Sequence, residues 1–389
     1  MTSLDPRLGH HVTTTLAGEA VKAFVPPPLP PEPSIDFAPF YGRLDRANQA
    51  LGRLDGLSAL LPNTRLFLYM YVRKEALLSS QIEGTQSSLT DLLLFENDQT
   101  PTTPIDDVEE VSNYVAAMTH GLNRMQEGFP LSLRLIREIH AVLLRGGRGA
   151  GKQPGEFRRS QNWIGGTRPG NAVFVPPPVT HLDSCLGDLE RFIHDDRHAL
   201  PVLIKAALVH VQFETIHPFL DGNGRLGRLL ITLILVMEKA VADPILYLSL
   251  YFKTHRQAYY DLLTRVRTHG DWEGWIAFFL DGVAEVALEA TDAARRILDI
   301  FAEDTARVQN EGRRASTMLR VHAFFQRQPY AGIGKAATET RLSFPAAAAA
   351  VDRLVDLGVL QEVSGRARDR IYAYTRYLTV LSEGAAPIQ

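Results

Sequence analysis

Two stretches that read as helices with apolar residues on almost every side, Pro201 to Thr215 and Leu226 to Ala240, are joined by a short segment of glycine, arginine, histidine and acid. A helix apolar all round has to be buried, so this joint is carried into the interior and the rest of the chain has to wrap it. The densest apolar run, Leu229 to Met237, is about half the ~20 residues a bilayer needs, which makes it core and not a membrane span. The only cysteine, Cys185, excludes an intramolecular disulfide and a thiolate-rich metal site. The chain starts without a basic stretch followed by an apolar one, so no secretory signal is read and a cytoplasmic location is expected. At 389 residues, two or three domains are expected. A formal net charge of −3 argues against a nucleic-acid coat over the whole surface.

The expected fold class is mainly α. Residues 1–36 are polar and then dense in proline (Val25 to Pro33), which favours an extended polyproline arm. Apolar residues recur at helical spacing from Arg43 to Leu61 and from Asn63 to Ile82, with Pro62 as the break and Asn63 or Thr64 as cap. The second of these helices is apolar nearly all round and ends at Glu83-Gly84, a C-cap signal. A Thr- and Pro-rich loop (Thr100 to Pro104) leads into helices at Asp107 to Gln126, Ser132 to Leu144 and His181 to Asp195, and helices continue to about Gln309. Asn171 to Pro178 breaks the helical pattern with β-formers and reads as a short hairpin strand, with Val173 and Val175 facing one side together. The expected divisions are an arm (1–36), an N-terminal helical region (37–110), a catalytic core (111–310) and a C-terminal domain (311–389). That last domain reads as three helices and two β-like stretches around a Gly-Arg tip, a pattern resembling a winged helix-turn-helix.

The joint itself reads HPFLDGNGRLGR, from His217 to Arg228. Gly222 and Gly224 around Asn223 let successive backbone N–H groups turn toward one point at the positive end of the following helix, a nest for phosphate oxygens. Arg225 and Arg228, three apart, fall on one helix face and clamp further oxygens with forked donors. Asp221 is the hard oxygen ligand suited to Mg²⁺. His217, whose unperturbed pKa lies near neutrality, is the candidate general base for a hydroxyl nucleophile.

These residues match the motif H-x-F-x-[DE]-G-N-G-R-x-x-R, and the sequence resembles the Fic (filamentation induced by cAMP) family at every fixed position. The resemblance implies a Fic-type helical core and protein adenylyltransfer: AMP moves from ATP to a Ser, Thr or Tyr hydroxyl of a target protein or of the enzyme itself. On the matching positions it implies that His217 deprotonates the hydroxyl and that Asp221 holds Mg²⁺ (or Mn²⁺). Gly222, Asn223, Gly224 and Gly227 would belong to the nucleotide site, with Arg225 on the β-phosphate and Arg228 on the γ-phosphate. Phe219 would pack inward and hold the loop. Val173, Phe174 and Val175 fall where the family carries its flap, a hairpin that pairs with an extended target segment. Tyr251 is the tyrosine favoured for the adenine side, with Tyr259-Tyr260 a second aromatic pair nearby in sequence. Ser79 to Gly84 (SSQIEG) resembles the family's inhibitory pattern [ST]-x-x-x-E-[GN], which implies that Glu83 pairs with Arg228 and blocks the γ-phosphate.

Between Arg313 and Tyr377 there are 11 basic and 5 acidic residues, enough for a phosphate-facing patch. The helix expected to read bases, however, carries a run of alanines, so a protein-docking or dimer-supporting role is preferred to sequence-specific DNA binding. Three alternatives stay open from sequence: a DNA-binding regulator that uses the nucleotide site as an ATP sensor, transfer of another phosphate-bearing group, and removal of AMP. A homodimer is also left open.

Overall fold

A computed structural model describes residues 7–387 apart from 17, 61–63, 97–100, 102, 147–148 and 196–199. Pro62, Asn63 and Thr100, expected to break, cap and loop the chain, lie outside the described residues. The chain opens with an antiparallel hairpin, β1 (His10–Leu16) and β2 (Glu19–Val25). Helices α1 (Tyr41–Leu60), α2 (Thr64–Ile82), α3 (Leu89–Phe95), α4 (Ile105–Gln126), α5 (Leu133–Leu143) and α6 (Val179–Ile193) follow. Next come α7 (Val202–Ile216) and α8 (Asn223–Met237), the two expected apolar helices, then α9 (Ser249–Thr254), α10 (Arg256–His269) and the long α11 (Trp272–Gln309).

The core is organised by α7 and α8. Every residue of α7 from Leu203 to Ile216 is buried, and α8 is buried from Arg225 to Leu235. Helices α2, α4 and α5 cover α8, and α11 crosses α7 while α1 runs along α11. Local chemistry sets several of the helix starts. Ser88 caps α3 in a reciprocal box with Asp91, whose N–H donates to Ser88 Oγ at 3.1 Å while its carboxylate accepts from Ser88 N at 3.0 Å. Asp271 caps α11 by accepting from Gly274 N at 3.0 Å. No helix of the described residues is long and apolar enough to cross a membrane.

The C-terminal region contains α12 (Ala315–Arg327), β3 (Tyr330–Gly332), α13 (Ile333–Thr340), α14 (Phe344–Asp356), β4 (Gln361–Glu362), β5 (Ile371–Ala373) and α15 (Thr375–Ser382). Strands β4 and β5 coincide with the two expected β-like stretches. The sheet gains a third strand, β3, which pairs antiparallel with β5. Three residues are too few to show alternation, so β3 carries no signal in the sequence.

Two expectations are corrected. The N-terminal segment is not an extended arm throughout: His10–Leu16 and Glu19–Val25 pair as a hairpin, and only the stretch from Pro26 is proline-dense. β-branched Val12, Thr13, Thr14 and Thr15 and a left-handed Gly18 (φ +83°) favour that hairpin, and its inner face finds a partner in Val175, which packs with Val21 and Ala23. The Asn171 to Pro178 segment is not a regular strand either. It makes one antiparallel bridge, Ile164 to Phe174, closed by left-handed Gly165 and Gly166 and by Asn171 Oδ1 accepting from the Thr167 and Arg168 amides. Val173 is 72 % exposed while Val175 is 8 % exposed, so the two do not share one environment. The β2 edge takes the inner position, with Phe24 N donating to Val175 O at 2.9 Å.

Candidate active site around the α7–α8 joint

His217 ends α7 in a left-handed conformation (φ +48°, ψ +60°), which is costly for a residue with a Cβ and therefore has to be held by its surroundings. Two side chains hold it, the buried Arg158 and the half-buried Asn162. Arg158 Nε donates to the His217 carbonyl at 3.1 Å, and Asn162 Nδ2 donates to the Phe219 carbonyl at 3.0 Å. The His217 ring Nδ1 is buried near the Glu214 backbone without a hydrogen bond of good geometry. Burial first, then the Arg267 and Arg158 guanidiniums, push its pKa down to about 3. The imidazole is thus neutral at physiological pH, the form that can accept a proton.

The loop from 218 to 222 is closed from inside. Asn223 Oδ1 accepts from Phe219 N and Asn223 Nδ2 donates to Phe219 O, both at 2.9 Å. Phe219 is fully buried, stacked on His140 at 3.7 Å and tilted against Phe157. His140 is a support that the sequence did not reveal. Its Nδ1 accepts from Gly155 N at 2.9 Å, which leaves the proton on Nε2 to be donated to the Asp221 carbonyl at 3.0 Å. Burial pushes its pKa down to about 4, in keeping with that neutral tautomer.

Beyond the loop, Gly222 is left-handed (φ +74°) and α8 starts at Asn223. The first intrahelical bond is Leu226 N to Gly222 O, so the amides of Asn223, Gly224 and Arg225 have no intrahelical acceptor and face the helix's positive end. Asp221 Oδ1 accepts from Gly222 N at 2.6 Å and lies 3.7 Å from Arg225 Nη2, with its side chain 40 % exposed at the cradle's rim. Arg225 is anchored through Nη1 by Glu110 at 3.0 Å, both side chains being buried, while its Nη2 is the atom that faces Asp221.

This chain's own carboxylate takes up the Arg228 side of the cradle. Glu83, just past α2, places Oε1 2.7 Å from Arg228 Nη2. A Cβ on Gly224 would lie 2.2 Å from that same Oε1, so the carboxylate rests directly on the helix N-terminus. Arg228, 1 % exposed, also donates through Nε to Ser79 Oγ at 2.8 Å and through Nη2 to Ser79 O at 2.9 Å. Burial alone would raise the Glu83 carboxyl; Arg228 outweighs it, with help from Arg225, and the pKa lies below the ordinary range. Burial would likewise lower the Arg228 guanidinium, but Glu83 together with Tyr259, Tyr260 and Glu214 outweighs it and its pKa is raised.

Several other expected site residues go elsewhere. Tyr251 does not reach the cradle: it packs on His255 and Phe278, closes over Gly282, and lines a separate cavity of about 390 Å³ with Lys74 and Glu285. Tyr260, 38 % exposed, and the buried Tyr259 are the aromatics within the field of Glu83 and Arg228, and Arg256 lies over the Tyr260 ring at 5.5 Å. A helical spacing of aromatics cannot tell which of them faces a site and which faces the core. Gly227 faces α7 and not the cradle. A Cβ there would meet Glu214 Oε1 at 2.4 Å, and its carbonyl accepts from His210 Nδ1 at 2.9 Å. Glu214 is itself buried with an unpartnered Oε1, and burial pushes its pKa up to about 7. Of the flap residues, Phe174 stacks under Arg267 at 4.1 Å, and Arg267 in turn donates to Thr215 Oγ1 and Glu214 O, tying the flap to the end of α7.

The Fic/DOC family profile matches residues 130–235, which covers this joint, and the Fic/DOC N-terminal profile matches residues 41–123, which covers Glu83. The chain belongs to the Fic/DOC family. The protein adenylyltransferase Fic of Aedes aegypti is 29% identical over 272 residues, 68% of this chain and 51% of that protein. The protein of the same name from Drosophila grimshawi is 30% identical over 178 residues, 46% of this chain and 34% of that protein. The chain thus spans about half the length, or less, of the curated relatives it matches. The fold is shared with a Fic family protein from Desulfovibrio desulfuricans, with a TM-score of 0.59 at 19% identity over 88% of this chain and 97% of that one.

Proposed function

We propose that this Fic protein is a protein adenylyltransferase that transfers AMP from ATP to a hydroxyl of a target protein or of itself, and that Glu83 holds it in an inhibited state. The observation that carries the reading is the Glu83 carboxylate seated on the α8 N-terminus and paired with Arg228, where phosphate oxygens would otherwise be bound. Neutral His217 takes the proton of the attacking hydroxyl. The hydroxyl oxygen then bonds to the α-phosphorus, the bond from that phosphorus to the α–β bridging oxygen breaks, and pyrophosphate leaves. The amides of residues 223–225 stabilise the charge that grows on the phosphoryl oxygens. Asp221, a single exposed-rim carboxylate beside the cradle, fits Mg²⁺, which prefers one or two carboxylates together with substrate phosphates. When bound, that ion neutralises phosphate charge. Arg225 and Arg228 take the outer phosphates once Glu83 has moved, and the target segment lies along the exposed Val173 side of the flap. A cytoplasmic setting belongs to the same proposal.

The DNA-binding alternative draws less support. Arg353, on the helix expected to read bases, is held by Glu311 at 2.8 and 3.0 Å, and the start of that helix exposes Phe344. We read the C-terminal domain as a winged helix-turn-helix serving protein contacts.

The deciding experiment incubates wild type, Glu83→Gly and Glu83→Gly/His217→Ala with Mg²⁺ and ATP labelled at the α- or the γ-phosphate. Label from the α-position on protein in Glu83→Gly, little in wild type and none in the double variant is expected. No label in any variant that still binds ATP would overturn the reading.

A further inference from the structure

The turn that carries Glu83 is fastened from the far end of the chain. After α15, Gly384 turns the backbone through a left-handed conformation (φ +74°), and a Cβ there would lie 2.7 Å from Leu250 Cδ1, so the tail passes close over α9. Ala385 is then buried, and its carbonyl accepts from Gln81 Nε2 at 3.0 Å. Gln81 lies in the last turn of α2 and is 1 % exposed. Its second amide hydrogen goes to Ser87 O at 2.9 Å, beyond Glu83, and its Oε1 accepts from Lys253 Nζ at 2.7 Å. Lys253 on α9 also donates to Gly384 O at 3.2 Å and to the Ala386 carbonyl, so one ammonium bridges the tail and the α2 end. Upstream, Arg296 of α11 grips Glu383 with two bonds of 2.7 Å. Within the turn the bonds are Glu83 N to Ser80 O, Gly84 N to Gln81 O and Thr85 N to Ser80 O, and Arg256 of α10 adds a donor to Ile82 O at 3.1 Å.

We infer that Glu383 to Ala386, acting through Lys253 and Gln81, form a latch that positions Glu83 on Arg228, so that displacement of α15 and its tail releases the cradle. The inference deepens the proposed function and rests on the inhibitory role of Glu83 given there. Gln81 is the central positioning residue: with both amide hydrogens and its oxygen engaged in a buried setting, it has no spare partner when one is lost. Strand β5 runs into α15 through Tyr374 alone, and α15 runs into Glu383, so movement at the C-terminal sheet is transmitted to Glu83 through one short helix.

The test uses the full chain with Lys253→Met, Lys253→Arg and Gly384→Val. Hydrogen–deuterium exchange reads the amides of residues 83–85 against those of α7. Lys253→Met and Gly384→Val are expected to speed exchange at 83–85 by about 10-fold or more with α7 unchanged, and Lys253→Arg to restore much of the protection. Self-adenylylation is expected to rise by roughly 5-fold or more in Lys253→Met, but to change less than about 2-fold when the same substitution is added to Glu83→Gly, because the latch acts only through Glu83. Unchanged exchange at 83–85, or an equal gain in the Glu83→Gly background, overturns the latch. If Glu83→Gly itself transfers no AMP, the proposed activity fails while exchange still decides the latch.

Discussion

Replacing Glu83 by glycine is expected to change affinity for ATP far more than affinity for AMP, and the structure sets the size of the difference. Arg228 is buried and keeps Ser79 Oγ and O as partners when Glu83 is gone, while the Glu83 side chain is 36 % exposed. Breaking a fully buried ion pair costs about 3–5 kcal/mol. With the remaining partners and one half-wet member, the pair here is worth about 1–3 kcal/mol. A γ-phosphate that has to displace Glu83 gives up that amount; one that finds Arg228 free does not. ATP is therefore expected to bind about 5- to 150-fold more tightly to Glu83→Gly than to wild type, since about 1.4 kcal/mol is tenfold. AMP, without β- and γ-phosphates, is expected to change by less than about threefold. Isothermal titration with both nucleotides on both proteins measures this directly. An equal gain for ATP and AMP would show that Glu83 blocks the whole cradle rather than the Arg228 position, and no gain for either would refute the ion-pair argument altogether.

Substituting Arg158→Met removes the donor to the His217 carbonyl. In the Glu83→Gly background, kcat is expected to fall about 10- to 100-fold with ATP affinity nearly unchanged, because misplacing the base affects the chemical step and not nucleotide binding; an ATP-affinity loss of equal size in titration would contradict the role. Tyr260→Ala is expected to weaken ATP binding and Tyr251→Phe to leave it unaltered, as measured by the same titration. Phe219→Ala, which empties the stack between His140 and Phe157, is expected to cost about 3–5 kcal/mol in denaturant unfolding. Stability should also fall on acidification. His140, His210, His217 and His322 are all pushed down by burial, to about 4, 3, 3 and 4, so from the unfolded pKa of 6.5 downward the unfolded chain binds more protons at these sites. Glu75 and Glu214, raised by burial to about 7, act in the opposite sense: their stabilisation is complete below 4.5 and is lost as pH rises through 7. Four sites against two leave a net uptake of about two protons on unfolding near pH 5.5, a loss of roughly 2–3 kcal/mol per pH unit, measurable as a shift in urea midpoint between pH 7 and 5.

The sequence by itself determined the helical class, the burial of α7 and α8, and the candidate site from His217 to Arg228 together with Glu83. These signals are local. Apolar periodicity specifies a buried helix, and glycines flanking Asn223 ahead of a helix specify a backbone cradle whatever surrounds them. The strands of the N-terminal hairpin are equally local in their β-branched residues, but the proline run beside them is the stronger local signal and favours an extended arm. Tertiary structure alone decided that Arg158 and Asn162 hold the His217 loop, that His140 donates to Asp221, that Tyr259 and Tyr260 rather than Tyr251 lie in the field of Glu83 and Arg228, and that residues near Ala385 fasten Gln81. Each of these contacts joins side chains on elements distant in sequence, and a single arginine, tyrosine or glycine has the same local preference in any of those settings. The physical reason is that the direction a side chain faces within a helix bundle is set by how whole helices pack, and the packing energy is shared among all the residues of the interface.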